Sequence, residues 1–225
     1  MTRAKGLPLH GHGPCEKPSH IMVRPADPSI QAMVTIQAEA IIPTPWGDFN
    51  MIAFSDGPNE WMPHFALVHV DCDPGQPVLT RIHSECITGD LFGSKRCDCG
   101  EQLHKSLEMT AQARGVVLYL RQEGRGIGII NKLKAYNLQD IGLNTVDANL
   151  HLGLEVDARH YDIAIQMLEA LGIDRIRLLT NNPDKIEAFD EASIELVDRV
   201  PLIVKPNADN LNYLETKKKD LGHLF

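Results

Sequence analysis

The spacing of the apolar residues changes once along this chain, and that change most limits what it can fold into. From Met33 onward, "MVTIQAEAII", "DFNMIAFSD", "HFALVHVD" and "PVLTRIHS" are short runs rich in β-branched and aromatic residues, broken by turn-forming stretches such as "PTPWG" and "CDPGQ". Such runs read as strands, and their brief connections predict an antiparallel start to a sheet. Beyond residue 100 the pattern alternates. "GEQLHKSLEMTAQARG" places Leu103 and Leu107 at helical spacing with Gly115 as its stop, and "VVLYL" reads as a buried strand. "GIGIINKLKAYNLQD" reads as a helix with Ile129, Leu133 and Tyr136 on one face, and "YDIAIQMLEALG" as another with a stripe of Ile163, Met167 and Leu171. "RIRLLT" is a strand, "NNPDKIEAFDEA" a helix capped by Asn182 with Pro183 in its first turn, and "IELVDRVPLIV" a last strand. The expected class is α/β, a mixed sheet with an antiparallel N-terminal section followed by alternating strands and helices.

Residues 1–32 are rich in Gly, Pro and His and show no period, so they read as a loose N-terminal arm before a single domain, 33–225. His10, His12 and His20 in that arm read as part of a polar tail, and the closing "NLNYLETKKKDLGHLF" reads as a surface helix. A net charge of −8 supplies no long-range positive field, so no nucleic-acid partner is expected and any anionic ligand must meet local positive charge. No stretch approaches the roughly 20 apolar residues of a membrane span. The first residues also lack the apolar run of a signal peptide. The expectation is a cytoplasmic protein without a membrane partner.

In a reducing compartment, clustered cysteines point to metal binding or catalysis more than to disulfides. Cys86, Cys97 and Cys99 fall within "SECITGDLFGSKRCDCGEQL", whereas Cys15 and Cys72 read as a free tail thiol and a buried apolar residue. If the "CDC" segment is extended, Cys97 and Cys99 point the same way and can share one ion, with Cys86 reaching it across a loop. Three protein thiolates and a C-x-C spacing differ from the four-ligand C-x-x-C knot, and leave one position for water as catalytic zinc sites do. His83 keeps two alternatives open. "HSE" matches the H-x-E half of the zinc deaminase signature, with His83 a ligand and Glu85 the acid/base; or His83 completes a closed structural site.

Two more stretches suit anions. "LRQEGRGIGIINK" runs from strand through a glycine-rich turn into a helix: Gly124, Gly126 and Gly128 admit close approach of backbone N–H groups, and Arg121, Arg125 and Lys132 add charge. It matches neither the P-loop nor the dinucleotide fingerprint. "LLTNNPDK" begins a helix at Pro183, with Thr180 before it and Lys185 in its first turn. A solvated turn or ordinary capping accounts for either stretch alone. Beside a metal cluster, the two point to a phosphorylated substrate without naming the reaction.

In this order, "PTPWGDF", "RIHSECITGDLFGSKRCDCGEQL", "RQEGRGIGIINKLKAYNLQD", "NTVDAN", "LGLEVDARHYD", "LLTNNPDK" and "RVPLIV" resemble the GTP cyclohydrolase II family over roughly residues 38 to 225. The resemblance implies hydrolysis of GTP to formate, pyrophosphate and 2,5-diamino-6-ribosylamino-4(3H)-pyrimidinone 5′-phosphate, the first committed step of riboflavin biosynthesis. It implies a homodimer with one catalytic zinc ion per subunit and magnesium on the triphosphate. By the same resemblance Cys86, Cys97 and Cys99 hold the zinc and His83 does not. Arg81, Ile82, His83, Ser84 and Glu85 then border the nucleotide, and Gln102, Glu123, Gly124, Arg125, Thr145, Thr180 and Lys185 stand at nucleotide-contacting positions. Tyr136 lies near the guanine ring, and Asp157 and Arg159 match a proton acceptor and a nucleophile. The other reading of Arg159 is a salt-bridged cation that stabilises charge on the phosphate, since a guanidinium pKa lies above about 12.

Overall fold

The computed structural model describes residues 33–204, 210 and 222–224; the expected N-terminal arm, Cys15 and most of the expected closing helix lie outside the described residues. Strands β1 (Thr35–Thr44), β2 (Gly47–Ser55) and β3 (His64–His69) form the expected antiparallel meander. The turn from β1 to β2 is closed by Thr44, whose hydroxyl donates to the Gly47 carbonyl at 2.7 Å and accepts the Trp46 and Gly47 N–H groups.

Strand β4 (Val78–Ser84) departs from the expected antiparallel run. It does not pair with β3: the place beside β3 is taken, antiparallel, by β5 (Val116–Leu120), and β4 lies on the far side of β5 in parallel. Strands β6 (Arg175–Leu179) and β7 (Glu195–Val200) continue the parallel half, giving the order β1-β2-β3-β5-β4-β6-β7. Every residue of β4 but Ser84 is buried. A strand covered on both faces belongs in the middle of a parallel section, where helical crossovers shield it.

Those crossovers place helices on the two faces. After the one-turn α1 (Ile87–Asp90), helix α2 (Cys99–Ala113) packs Leu103, Leu107 and Ala111 against Phe49 and Val117. Residues of β5 alternate faces, so Val116, Leu118 and Leu120 instead join the main core with Ile82, Ile176 and Leu178. Helix α5 (Asp162–Ala170) buries Ala164, Met167 and Leu168 there, and Cys72 packs at its margin.

Helix α2 ends one residue before the expected glycine. Arg114 takes the left-handed conformation (φ 55°), and the Gly115 N–H returns to the Thr110 carbonyl at 2.7 Å, a Schellman closure. Gly115 serves a different need: a Cβ there would lie 2.2 Å from the Leu79 carbonyl oxygen, where the chain enters β5 beside β4.

Helix α3 (Gly128–Asp140) forms as expected but does not turn the Ile129, Leu133 and Tyr136 stripe into the core. Its buried residues are Lys132 and Ala135, and Leu133 is half exposed, because α3 borders a polar cavity and not the apolar core. Helix α4 (Thr145–His151) was not foreseen from apolar spacing; it opens at Asn144, whose side chain accepts the Asp147 N–H at 2.8 Å. Helix α6 (Pro183–Glu187) has the expected cap, with Asn182 accepting the Asp184 N–H and proline at the first helical position.

Candidate active site

The carboxyl ends of β4, β5 and β6 open onto one cavity of about 840 Å³, the place where sheets with parallel strands bind ligands and the volume of a small-molecule site. From β4 and the turn after it come Arg81, His83, Ser84, Glu85 and Cys86; from the start of α2, Cys97, Cys99 and Gln102. The loop after β5 and helix α3 add Gly124, Arg125, Lys132 and Tyr136, and α4 adds Thr145. Arg159 enters ahead of α5, and Thr180 and Lys185 after β6.

The cysteines converge. The Sγ atoms of Cys86, Cys97 and Cys99 all lie within 4.8 Å of one another, and Cys86 and Cys97 are 3.6 Å apart. The segment that does this is not extended, as the sequence suggested. Asp98 caps α2 with φ −101° and ψ 10°, so the chain turns between Cys97 and the first helical residue, Cys99. All three are free thiols, and among the described residues they are the group of side chains able to hold a metal ion. His83 stands apart: its Nε2 lies 3.1 Å from both oxygens of Asp90 and its ring stacks on Tyr119.

Charge within the cluster is uneven. Hydrogen bonds from the Cys97 and Cys99 thiols, together with Lys132, favour thiolate at Cys86 and hold its pKa far below the usual thiol range. Donating to that thiolate pushes Cys97 up to about 11, and Cys99 rises as well. Soft, converging sulfurs of this kind fit zinc, and a metal would displace the two retained protons.

The walls are cationic and polar. Burial pulls Arg81 down to about 10, still charged at neutral pH. Its Nη1 donates to the Leu179 carbonyl at 3.0 Å and its Nη2 to Gln102 at 2.7 Å, while Gln102 donates in turn to Asp98. Lys185 donates to the Ile82 carbonyl at 2.7 Å. Arg125 is left-handed (φ 61°), and its carbonyl accepts the Ala158 N–H at 2.9 Å, fastening the glycine-rich loop to the segment that carries Arg159. Gly126 permits that closeness, since a Cβ there would lie 2.8 Å from the Ala158 oxygen. Arg81 Nε, His83 Nδ1, Ser84 Oγ and Arg125 Nη1 are buried without a hydrogen-bond partner. Buried polar atoms are almost always satisfied, so a group of them around one cavity fits a polar ligand.

Three of the sequence-expected residues do not line the cavity. Ile82 is fully buried in the main core and offers only its carbonyl. Asp157 lies behind Arg159, accepting from its Nε at 2.8 Å, from its backbone N–H at 3.1 Å and from Nη2. Burial raises the Asp157 pKa, but the bonds from Arg159 outweigh it and leave the carboxyl below its ordinary value. Glu123 faces Ile87, Gly124 and Lys132.

Sequence spacing does not single out two further residues, Arg96 in the cavity lining and Asp90 behind it. Arg96 sits 4.9 Å above the Tyr136 ring and pairs with Asp140 at 2.8 Å. Asp90 accepts from the Cys86 N–H at 2.9 Å and from the Tyr119 hydroxyl at 2.9 Å. The signal available was adjacency, since Arg96 precedes Cys97 and Asp90 follows Cys86 by one helical turn.

Comparison with known proteins agrees with this geometry. The profile of the family described as GTP cyclohydrolase II matches residues 35–201. The GTP cyclohydrolase-2 of Neisseria meningitidis is 52% identical over 189 residues, covering 84% of this chain and 95% of that protein. That of Cronobacter sakazakii is 53% identical with the same coverage. The riboflavin biosynthesis protein RibBA of Bacillus cereus is 50% identical over 196 residues, 87% of this chain, which spans 49% of that longer protein. Matched over residues 35–201, which include the strands, the cysteine turn and the loops that line the cavity, the chain belongs to the GTP cyclohydrolase II family.

Proposed function

We propose that this chain is a zinc-dependent GTP cyclohydrolase II, releasing formate and pyrophosphate from GTP and leaving 2,5-diamino-6-ribosylamino-4(3H)-pyrimidinone 5′-phosphate for riboflavin synthesis. One observation carries the reading: a converging three-thiol group sits in the wall of a cavity whose other walls present buried, unpartnered cationic atoms. Cys86, Cys97 and Cys99 would hold the zinc, whose Lewis acidity makes a water nucleophilic near neutral pH.

The chain's own groups account for the rest. Arg81, Arg125, Arg159 and Lys185 supply the positive charge that an acidic protein must concentrate to bind a triphosphate, with magnesium shared among the phosphates. Thr145, Thr180, Gln102 and Ser84 offer hydrogen bonds along the same cavity, and His83, Glu85 and Gly124 are also part of its lining. Burial pushes Tyr136 up to about 12, so it is a neutral phenol at working pH and can donate a proton as the imidazole ring of guanine opens. Water adds at C8, the ring opens to a formamide, and a second hydrolysis frees formate.

At the α-phosphate, one reading makes Arg159 the nucleophile and Asp157 its proton acceptor. A specific observation favours the second, electrostatic reading. The lowered pKa of Asp157 makes it a weak base, and its hydrogen bonds hold Arg159 as a charged guanidinium. Mass spectrometry of acid-quenched enzyme separates them, because a guanylyl adduct on Arg159 supports attack and its absence during turnover supports charge stabilisation.

The assembly follows the family: one catalytic unit from residue 33, paired as a homodimer, working in the cytoplasm. Among the described residues no helix is long and apolar enough to cross a membrane. Purified protein given GTP, magnesium and zinc is expected to yield formate, pyrophosphate and the diaminopyrimidine together. Ring opening without formate would instead mark a zinc hydrolase of a related purine nucleotide. No turnover with zinc bound would mark a structural knot in a nucleotide-binding module.

A further inference from the structure

Two charges, a buried Lys132 and a largely covered Glu123, join the cysteine cluster to the glycine-rich loop. Lys132 rises from the second turn of α3 and is 9% exposed; its Nζ donates to Cys86 Sγ at 3.0 Å and to Glu123 Oε1 at 2.7 Å. Glu123 reaches back with its other oxygen to the N–H of Ile87 at 2.6 Å, and Oε1 also accepts the Gly124 N–H at 2.7 Å. Ile87 follows Cys86, so the pair holds that cysteine both at its sulfur and at the next peptide, in a closed ring of hydrogen bonds. Asp90 holds the same residue from a third side through the Cys86 N–H.

This arrangement has a physical purpose at a thiolate site. A buried ammonium is costly unless it is paired, and Lys132 is paired twice. Its ammonium is engaged by Cys86 and Glu123, and both oxygens of the Glu123 carboxylate are engaged by Lys132, Gly124 and Ile87. A donor on a coordinated sulfur draws electron density from it, and fixing the ligand's orientation strengthens the site; such outer partners typically govern about 10- to 100-fold in metal affinity.

Resting on the reading that Cys86, Cys97 and Cys99 hold zinc, we propose that Lys132 is a positioning residue for Cys86, that it donates to the coordinated thiolate, and that Glu123 supports this contact through Lys132 and Ile87. The test uses full-length wild type, Lys132→Met, Lys132→Arg and Glu123→Gln. Folding is checked by circular dichroism, zinc affinity by competition with a chromophoric chelator, and the thiolate-to-metal charge-transfer band by absorption of the cobalt(II)-loaded proteins. Lys132→Met is expected to bind zinc about 10- to 100-fold more weakly and to shift the cobalt band to longer wavelength, as a more electron-rich sulfur demands. Lys132→Arg keeps a donor and is expected to recover much of both losses. A folded Lys132→Met protein with wild-type zinc affinity and an unshifted band overturns the proposal, as does equal loss in Lys132→Arg. Should Lys132→Met not fold, Glu123→Gln decides: weaker zinc binding is expected, and unchanged affinity overturns the proposal. A wild-type protein that binds no zinc would overturn the metal reading itself, a result distinct from the failure of Lys132 alone.

Discussion

Asp90 shows how much a single side chain can hold in this site. Its carboxylate receives His83, the Cys86 N–H and the Tyr119 hydroxyl. Asp90→Ala would leave the buried His83 and Cys86 N–H and the partly buried Tyr119 hydroxyl without their acceptor, at about 1–3 kcal/mol each, so urea unfolding should show a loss of several kcal/mol; a loss below 1 kcal/mol would contradict this reading. Tyr136 carries a prediction of a different kind. Tyr136→Phe keeps the ring beneath Arg96 and removes the proton, so kcat is expected to fall at least about 10²-fold with KM little changed, and steady-state kinetics checks the split. Much of this scale was legible in the sequence. Cysteines, glycines and cations with unusual spacing announce themselves by type, and the three cysteines, Arg81, Arg125 and Lys185 do share one cavity. Asp90 and Arg96 leave no such mark, because an aspartate or an arginine looks the same in sequence whether it faces bulk solvent or holds its neighbours in a site.

Among the elements, helix α2 shows what local signals deliver and where they stop. Its apolar spacing correctly identified Leu103 and Leu107 as the packing face. Its stop was displaced by one residue, since Gly115 answers to the approach of β4 and not to the backbone conformation of the helix end. Gly115→Ala would drive a Cβ to 2.2 Å from a backbone oxygen that cannot step aside. It should destabilise by about 1–3 kcal/mol or more, whereas Gly57→Ala, with nothing within 4 Å, should stay within about 0.5 kcal/mol of wild type. Thermal melting of the two variants compares them directly, and equal melting temperatures would refute the close-approach argument. Strand order lay beyond such signals. The run of apolar residues in "PVLTRIHS" marks a strand, but its insertion between β5 and β6 depends on partners far away in sequence. Helix α3 misleads for the opposite reason: its apolar stripe is real, yet the surface it meets is a polar cavity, which turns Lys132 inward.

For the molecule as a whole, two desolvated imidazoles, the buried His83 and the partly buried His64, set a pH dependence. Burial lowers the pKa of both His64 and His83 from the ordinary value of 6.5, with Arg121 adding to the effect at His64 and Asp90 opposing it at His83. The unfolded chain therefore binds these protons more readily than the folded one. Stability is greatest above about pH 6.5 and falls as the pH drops below that value toward the folded-state pKa values, by up to about 1.4 kcal/mol per pH unit for each group. Nuclear magnetic resonance titration should place both imidazole midpoints below 6.5, and midpoints at or above it would refute the argument. The fold makes the active site in the same global way. Parallel strands present β4, β5 and β6 ends together, and three loops distant in sequence become one cavity. The most direct test of the account follows the atom at which the chemistry is aimed. GTP labelled with carbon-13 at C8 and incubated with the zinc-loaded protein and magnesium should transfer its label to free formate, and the Cys97→Ser variant should bind no zinc and leave the label in the guanine ring. Label retained by the purine with the wild-type protein, or formate released equally by the zinc-free variant, would contradict it.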